Sequence, residues 1–467
     1  MNRFPQIGTV KPVMSSDVKR SRLGIGFEKL DREVFDPEKA YDKVAAIGVK
    51  WIRLQSGWAR TEKTKGVYDF GWLDSVVDDL IRRGMQPWIC LCYGNALYSP
   101  EAAEIFGAVG VPPIKTPAER EGWKNYVTAL TRHFAGRVLW YEVWNEPDGS
   151  WCWKHGVNGA EYGEFVKATA TAVKAGDPQA KVSGGSMCLK GLEWLNDVFS
   201  TGAGKVMDGL TYHAYDPNET FLSRVKALRA FCRLQNPQME IIQGETGTQS
   251  RDDGAGALHR CAWTPELQAK FVARHITCHL LQDVKFTSYF SCMDMIEALN
   301  GKVGDTASYL DYGYFGVLGA DFDANGKAVG TYTPKPSYYT LQTLAAVFRE
   351  DFTVTDLPVD LMQKPSPRAN GNDTADIEIL HGGFRRENGA CAFAYWKPVD
   401  LLTASFNGTV TISAAGLAGT PRLVDLLTGK IHAIPESVMT DNGRGHIALE
   451  NMPLRDYPLL LTFGDFF

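Results

Sequence analysis

The chain has 467 residues, room for roughly three domains, or two where one is an α/β barrel, and for a core that needs no disulfide or metal staple. Forty-nine basic residues against 54 acidic ones leave a net charge of −5 with no block of like sign, which argues against nucleic acid or an anionic membrane surface as the main partner. Forty-six glycines and 23 prolines follow no repeat, which excludes collagen-like and low-complexity chains.

Met1 to Val13 lack the long apolar run of a signal peptide, and no run of about 18 apolar residues would span a membrane, so a soluble chain is expected. From Leu23 onward, short apolar runs alternate with amphipathic patterns. Strands are predicted near Leu23–Phe27, Trp51–Gln55, Pro87–Cys92, Leu139–Val143, Lys181–Gly184, Gly209–His213, Glu240–Gln243 and Phe286–Phe290. Helices are predicted between them at Pro37–Ile47, Asp69–Arg83, Gly159–Ala175, Leu192–Ser200, Glu219–Leu234, Thr264–Leu281 and Ser337–Phe348. A further helix opens at Thr116-Pro117-Ala118-Glu119, a capping box with proline at the first helical position. Behind it Trp123, Val127, Leu130 and Phe134 form one apolar stripe. Eight strand–helix alternations predict a (β/α)8 TIM barrel over residues 1–350. After Glu350 alternating runs such as Ile377-Glu378-Ile379, Ala392–Tyr395 and Thr409–Ser413, separated by turn clusters, predict a smaller all-β domain, a β-sandwich, over 351–467. Residues 1–22, a lead-in that a barrel rarely needs, are candidates to add a strand to it. The nine cysteines are scattered. The close pair Cys90 and Cys92 reads as small apolar packing within a strand, and no Cys/His spacing suggests zinc.

Chemistry concentrates at two strand ends. Leu139-Trp140-Tyr141-Glu142-Val143-Trp144-Asn145-Glu146-Pro147 runs an apolar strand into an amide, a carboxylate and a proline that ends the ladder. Glu240-Ile241-Ile242-Gln243-Gly244-Glu245-Thr246 puts a second carboxylate at the end of the seventh barrel strand. These ends form the mouth of a barrel, where catalytic residues collect. Either glutamate alone would be an ordinary loop residue. Two across one mouth are what glycosidic cleavage needs, one giving a proton to the leaving oxygen and the other attacking or stabilising the anomeric carbon.

On Trp144-Asn145-Glu146-Pro147 and Gly244-Glu245-Thr246 the chain resembles the clan A retaining glycoside hydrolases, whose signature is Asn-Glu ending the fourth strand and Glu ending the seventh. Within that clan it is most similar to family 39, the β-xylosidase and α-iduronidase group. The resemblance covers the barrel, and an appended β-sandwich is common in such enzymes. It implies Glu146 as general acid/base, Glu245 as nucleophile and Asn145 as the partner of the sugar 2-hydroxyl. It also implies that Arg53, on the second strand, keeps Glu245 ionised, that Tyr215 donates to Glu245, and that His213 lines the sugar site. Phe290 stands where relatives carry a tryptophan platform. Sugar C–H faces stack on aromatic rings, which makes Trp58, Tyr93, Trp151 and Trp153 candidate pocket walls, and Glu28 a candidate acceptor for sugar hydroxyls. The implied reaction is a double displacement through a glycosyl-enzyme, without metal or cofactor. Its substrate is a β-linked oligosaccharide, polysaccharide or glycoside. The long loops Gly94–Thr116 and Thr246–Trp263 are expected to close the cleft into a pocket for exo-acting cleavage. An endo-acting glycanase or transglycosylase on the same barrel, and a non-catalytic carbohydrate-binding protein, stay open as alternatives, as do the sugar and the oligomeric state.

Overall fold

Eight parallel strands close into a barrel: Leu23–Gly26, Trp51–Gln55, Gln86–Leu91, Trp140–Val143, Lys181–Met187, Gly209–His213, Glu240–Thr246 and Thr287–Tyr289, the last pairing back onto the first. The computed structural model describes residues 3–363 and 377–467. Parallel strands under a ring of helices are covered on both faces, which is why they read as continuous apolar runs. Ile89, Cys90 and Leu91 are all fully buried, and Cys90 and Cys92 are packing residues in this wall.

The helices form where their signals stood. Thr116 accepts from the Glu119 backbone N–H at 3.1 Å while the Glu119 carboxylate accepts from Thr116 N–H at 3.0 Å, and the helix runs Pro117–His133. Its Trp123, Val127 and Leu130 face the core, as does Phe134 just past its end. Two helices differ from expectation. The segment from Pro37 splits into a 3-10 turn, Pro37–Lys39, and a short helix, Tyr41–Ala45. The helix expected from Glu219 begins at Leu222, because Glu219 is drawn into an ion pair with Arg274.

The mouth of the barrel is irregular on one side. In the fifth strand Gly185 pairs with Thr211 and Met187 with Tyr212, leaving Ser186 as an extra residue. In the seventh, Gln243 faces Tyr212 and Glu245 faces His213, leaving Gly244 extra. Bulges of this kind re-aim the side chains that follow them.

Residues after Glu350 build two packed sheets. A 7-stranded sheet joins Gln6–Thr9 to Lys430–Ala433 and continues through Arg422–Asp425, Leu459–Phe463, Cys391–Trp396, Leu380–Arg385 and Thr353–Thr355. A 4-stranded sheet holds Val359–Met362, Asn407–Ala415, His446–Arg455 and Met439–Asp441. Phe393, Tyr395, Val410, Ile412, Leu449, Leu454, Leu459 and Leu461 fill the space between them. The strand expected at 377–379 begins instead at Leu380, where pairing with Trp396 starts.

The sandwich and the barrel share a core, since Phe384, Trp396, Leu460 and Phe466 belong to the apolar cluster that includes Leu344 and Phe348. At the seam a buried Arg274 guanidinium pairs with Glu219 and donates to the Val399 carbonyl at 2.9 Å. The Trp396 indole N–H donates to Glu219 at 3.2 Å, and the Asn218 side chain bonds Asp400 and the Leu401 N–H.

Candidate active site

A cavity of about 670 Å³ opens at the carboxyl ends of the barrel strands, with Asn145, Glu146, Trp151, Tyr215, Glu245 and Phe290 among its lining residues. Glu146 and Glu245 enter it from opposite sides. Together with His213 they present donor atoms all within 4.8 Å of one another.

Glu245 is clamped from below and beside. The Arg53 guanidinium donates to one of its oxygens, and the Tyr215 hydroxyl donates to the other at 2.7 Å. Burial alone would raise the carboxyl, but the nearby charges of His213 and Arg53 and the Tyr215 hydrogen bond outweigh it, and Glu245 is held below the ordinary carboxylate range. It is an anion at neutral pH. Arg53 itself is fully buried and spreads over its neighbours: Nε and Nη2 donate to Glu142 at 2.9 and 2.5 Å, and Nη2 to the Asn145 side-chain oxygen at 2.8 Å. The Asn145 amide nitrogen in turn donates to Cys152 Sγ at 3.5 Å.

Glu146 is bracketed by His213 and Trp151. His213 Nδ1 lies 2.8 Å from Oε1, and the Trp151 indole N–H donates to Oε2 at 2.5 Å. The same His213 nitrogen is 3.5 Å from Glu245, so the imidazole bridges the two carboxylates. Burial lowers the histidine, yet the charges of Glu245 and Glu146 prevail and raise it above the usual value. The backbone at Trp144 and Glu146 has φ of +67° and +44°, a region that side-chain-bearing residues rarely occupy and that collects at functional sites. Asp148 ties this strained turn down. Its carboxylate accepts from three consecutive backbone N–H groups, Cys188 at 3.0 Å, Leu189 at 2.8 Å and Lys190 at 2.7 Å.

Aromatic groups form the rest of the wall. Phe290 lies edge-on to Phe315 and Tyr215 with the Lys29 ammonium 5.3 Å from its ring, and Tyr93 lines the side beneath Arg32. Four expected wall or contact residues stand outside the cavity, and one is His213, whose fully buried side chain lies behind the two glutamates rather than lining the sugar site. Trp58 is fully buried, its indole N–H donating to Glu62 at 2.5 Å and its ring stacked on Tyr98 and Tyr126. Trp153 is likewise buried, bonded to Glu161 at 2.9 Å. In each case a carboxylate on a neighbouring helical turn satisfies the indole and draws the ring into the wall behind. Glu28 is also absent from the lining. It sits behind Arg53, at 3.4 Å, with its second oxygen unpartnered. Burial pushes its carboxyl up to about 8 against the pull of Arg53, with the Glu245 charge adding to the rise.

Several lining or supporting groups carried no signal that drew attention in the sequence. Lys29, Arg32, Gln55 and Glu297 form one polar end of the cavity, where the Lys29 ammonium bonds Glu297 at 3.2 Å across a gap of 268 residues in the chain. Glu142 had a readable signal, since a carboxylate inside an otherwise apolar barrel strand requires a buried cation. Among the described residues, Glu146, His213 and Glu245 are also the one set of donors spaced to hold a metal ion. Arg53 and Tyr215 already turn hydrogens toward Glu245, and Trp151 toward Glu146, so a cation there would meet fixed positive charge.

Residues 38–408 match the sequence profile of the glycosyl hydrolases family 39. A β-xylosidase of Geobacillus stearothermophilus is 27% identical over 340 residues, 64% of this chain and 64% of that one. A β-xylosidase of Caldicellulosiruptor saccharolyticus is 26% identical over 211 residues, 41% of this chain and 42% of that one. The match therefore spans under two thirds of the length of either relative. Among solved structures, a family 39 glycoside hydrolase from Bacteroides cellulosilyticus WH2 superposes with a TM-score of 0.65 at 17% identity, covering 95% of this chain and 80% of that one. A family 39 β-xylosidase from Caulobacter crescentus superposes at 0.55 and 18% identity, covering 99% of both chains. The likeness to these structures is one of fold.

Proposed function

The chain belongs to glycosyl hydrolase family 39, and from that premise we propose that it is a retaining, exo-acting O-glycosidase for a β-linked sugar, with Glu146 as acid/base and Glu245 as nucleophile. The observation that carries this reading is the spacing of at most 4.8 Å between the facing oxygens of the two glutamates. Retention needs carboxyl groups roughly 5–5.5 Å apart, whereas inversion needs roughly 6.5–9.5 Å to seat a water between them. The pair falls on the short side of that divide.

In the first step the Glu245 carboxylate attacks the anomeric carbon while Glu146 gives its proton to the glycosidic oxygen, which leaves as the alcohol. Arg53 and Tyr215 orient the attacking oxygen, and the one Asn145 amide hydrogen not engaged by Cys152 Sγ is left for the 2-hydroxyl of the bound sugar. In the second step Glu146 takes a proton from a water, whose oxygen attacks the anomeric carbon from the vacated face. Glu245 is released and the configuration is retained. The covalent step consumes the negative charge of Glu245, which removes the local field that favoured a proton at the Glu146–His213 contact.

The polar groups gathered at one end, Lys29, Arg32, Gln55 and Glu297, with residues 255–259 of the long loop among the lining, support a pocket for a terminal sugar. Since two relatives are β-xylosidases, β-xylose is the first glycone to offer. The test is a panel of nitrophenyl glycosides assayed with wild type and Glu245→Ala. Release from one glycone, lost by 10⁴-fold or so in the variant, is the expected result. Release from none, with cleavage inside a polysaccharide, replaces the exo reading by an endo one, and activity that survives Glu245→Ala overturns the nucleophile assignment.

A further inference from the structure

His213 has two ring nitrogens and three partners. Nδ1 faces Glu146 at 2.8 Å and Glu245 at 3.5 Å, and Nε2 lies 3.1 Å from the Ser186 hydroxyl. Ser186 reaches that position by an unusual route. It is the extra residue of the bulge at the end of the fifth strand, it is fully buried, and its φ is +45°, in the left-handed region that favours glycine. A straight strand would have turned this side chain to the other face of the sheet. The bulge brings the hydroxyl to the back of the imidazole, and His213 is its hydrogen-bond partner.

We propose that Ser186 is a positioning residue for the acid step, holding His213 in the form that carries hydrogen on Nε2. The reasoning is a proton count. For Glu146 to act as an acid, the Glu146–His213 pair must hold two protons. One occupies the 2.8 Å contact between Oε1 and Nδ1, on whichever side of it. Oε2 of Glu146 already accepts from the Trp151 indole N–H at 2.5 Å, which leaves Nε2 as the open seat for the other, and the Ser186 oxygen is placed to accept it. Were the single imidazole hydrogen of a neutral ring on Nδ1 instead, it would point at Glu146 Oε1, and the acid proton would have to share Oε2 with the indole hydrogen of Trp151. Ser186 thus acts on the leaving group through His213. The charged groups that face this ring are Glu146 from the turn after the fourth strand, Glu245 from the seventh and Arg53 from the second. The two carboxylates favour the second proton, and Arg53 opposes it. The Tyr215 ring, 6.5 Å away and edge-on, completes the surroundings.

This inference rests on Glu146 being the acid/base, and the experiment separates the two. Wild type, Ser186→Ala, Ser186→Gly and Glu146→Ala are compared on a dinitrophenyl glycoside, whose leaving group needs no acid, and on a methyl glycoside or disaccharide, whose leaving group does. Without the acceptor, the Nε2–H of a buried ring is unpaired and the pair gives up its proton at lower pH. Ser186→Ala and Ser186→Gly should lose about tenfold in kcat on the unactivated substrate with KM little changed, lose less on the dinitrophenyl glycoside, and shift the basic limb of the pH profile down by about one unit. Glycine suits the +45° backbone, so Ser186→Gly answers the question even if alanine there prevents folding. A basic limb and a leaving-group dependence that stay put in both variants, while Glu146→Ala selectively loses the unactivated substrate, overturn the role of Ser186 alone. Full activity of Glu146→Ala on the unactivated substrate overturns the acid/base reading and this inference with it.

Discussion

Arg53 faces three buried carboxylates, Glu142, Glu245 and Glu28, and one guanidinium cannot neutralise three charges. The structure resolves the imbalance by making Glu28 a neutral acid at physiological pH. That has a consequence for stability. The folded carboxyl of Glu28 titrates at about 8 against an ordinary 4.5, so the folded state binds the extra proton throughout that window and stability declines as pH rises across it. His213, raised as well, acts in the same direction, its contribution lost as pH rises through its folded value. Glu245 has the opposite sign, since its lowered carboxyl adds stability at neutral pH that disappears as pH falls through the folded value. Glu28→Gln keeps the shape and the Arg53 contact without the proton. Chemical denaturation should therefore show the variant gaining on wild type by about 1–3 kcal/mol between pH 5 and pH 8. A wild-type and variant difference that does not change with pH would count against a neutral Glu28.

At the level of elements, the active site depends on how strand ends are finished. The barrel strands were legible because a doubly covered parallel sheet leaves long apolar runs, and the helix at Pro117–His133 because its capping box is local in sequence. Glu146 and Glu245 were legible because they close two such runs. The bulges at Ser186 and Gly244 were not, since one extra residue in a strand depends on which strand lies beside it. The tryptophans show the same limit. Trp58 and Trp151 are both mouth-side indoles, and what separates them is that Glu62 stands one helical turn from the first while Glu146 is the acceptor for the second. Asp148 is another such finish, joining the turn that carries Glu146 to the end of the fifth strand through three N–H groups. Asp148→Ala should cost about 2–3 kcal/mol in urea unfolding by leaving those donors unpaired. It should also lower kcat more than it raises KM, because Glu146 is no longer held in place. An unchanged kcat would mean that the strained turn holds itself.

At the scale of the molecule, the β-sandwich is built into the barrel rather than hung from it. The loop that follows Tyr215 is fastened through Asn218 to Asp400 and through Glu219 to Trp396 and to Arg274, which also donates to Val399, so a part of the second domain braces a residue that touches Glu245. Arg274→Met should destabilise by about 3–5 kcal/mol, since Glu219 is left as a buried charge without its partner. A chain ended at residue 350 should fail to give a soluble, cooperatively folding barrel, and full-length protein should unfold in a single calorimetric transition because the two parts share one apolar cluster. Two resolved transitions would refute that coupling.

The pairing of Gln6–Thr9 with Lys430–Ala433 has a bearing on how the chain is made. A ribosome releases the first of these strands more than 400 residues before the second, a delay of roughly 20–80 s at ordinary elongation rates. Through that interval the barrel's strands can find their neighbours in order of birth, each beside the last. The segment at the amino end has no such neighbour and must wait, unpaired, beside a growing barrel whose sandwich does not yet exist. Gln6–Thr9 therefore takes its seat only against a strand made more than 400 residues after it.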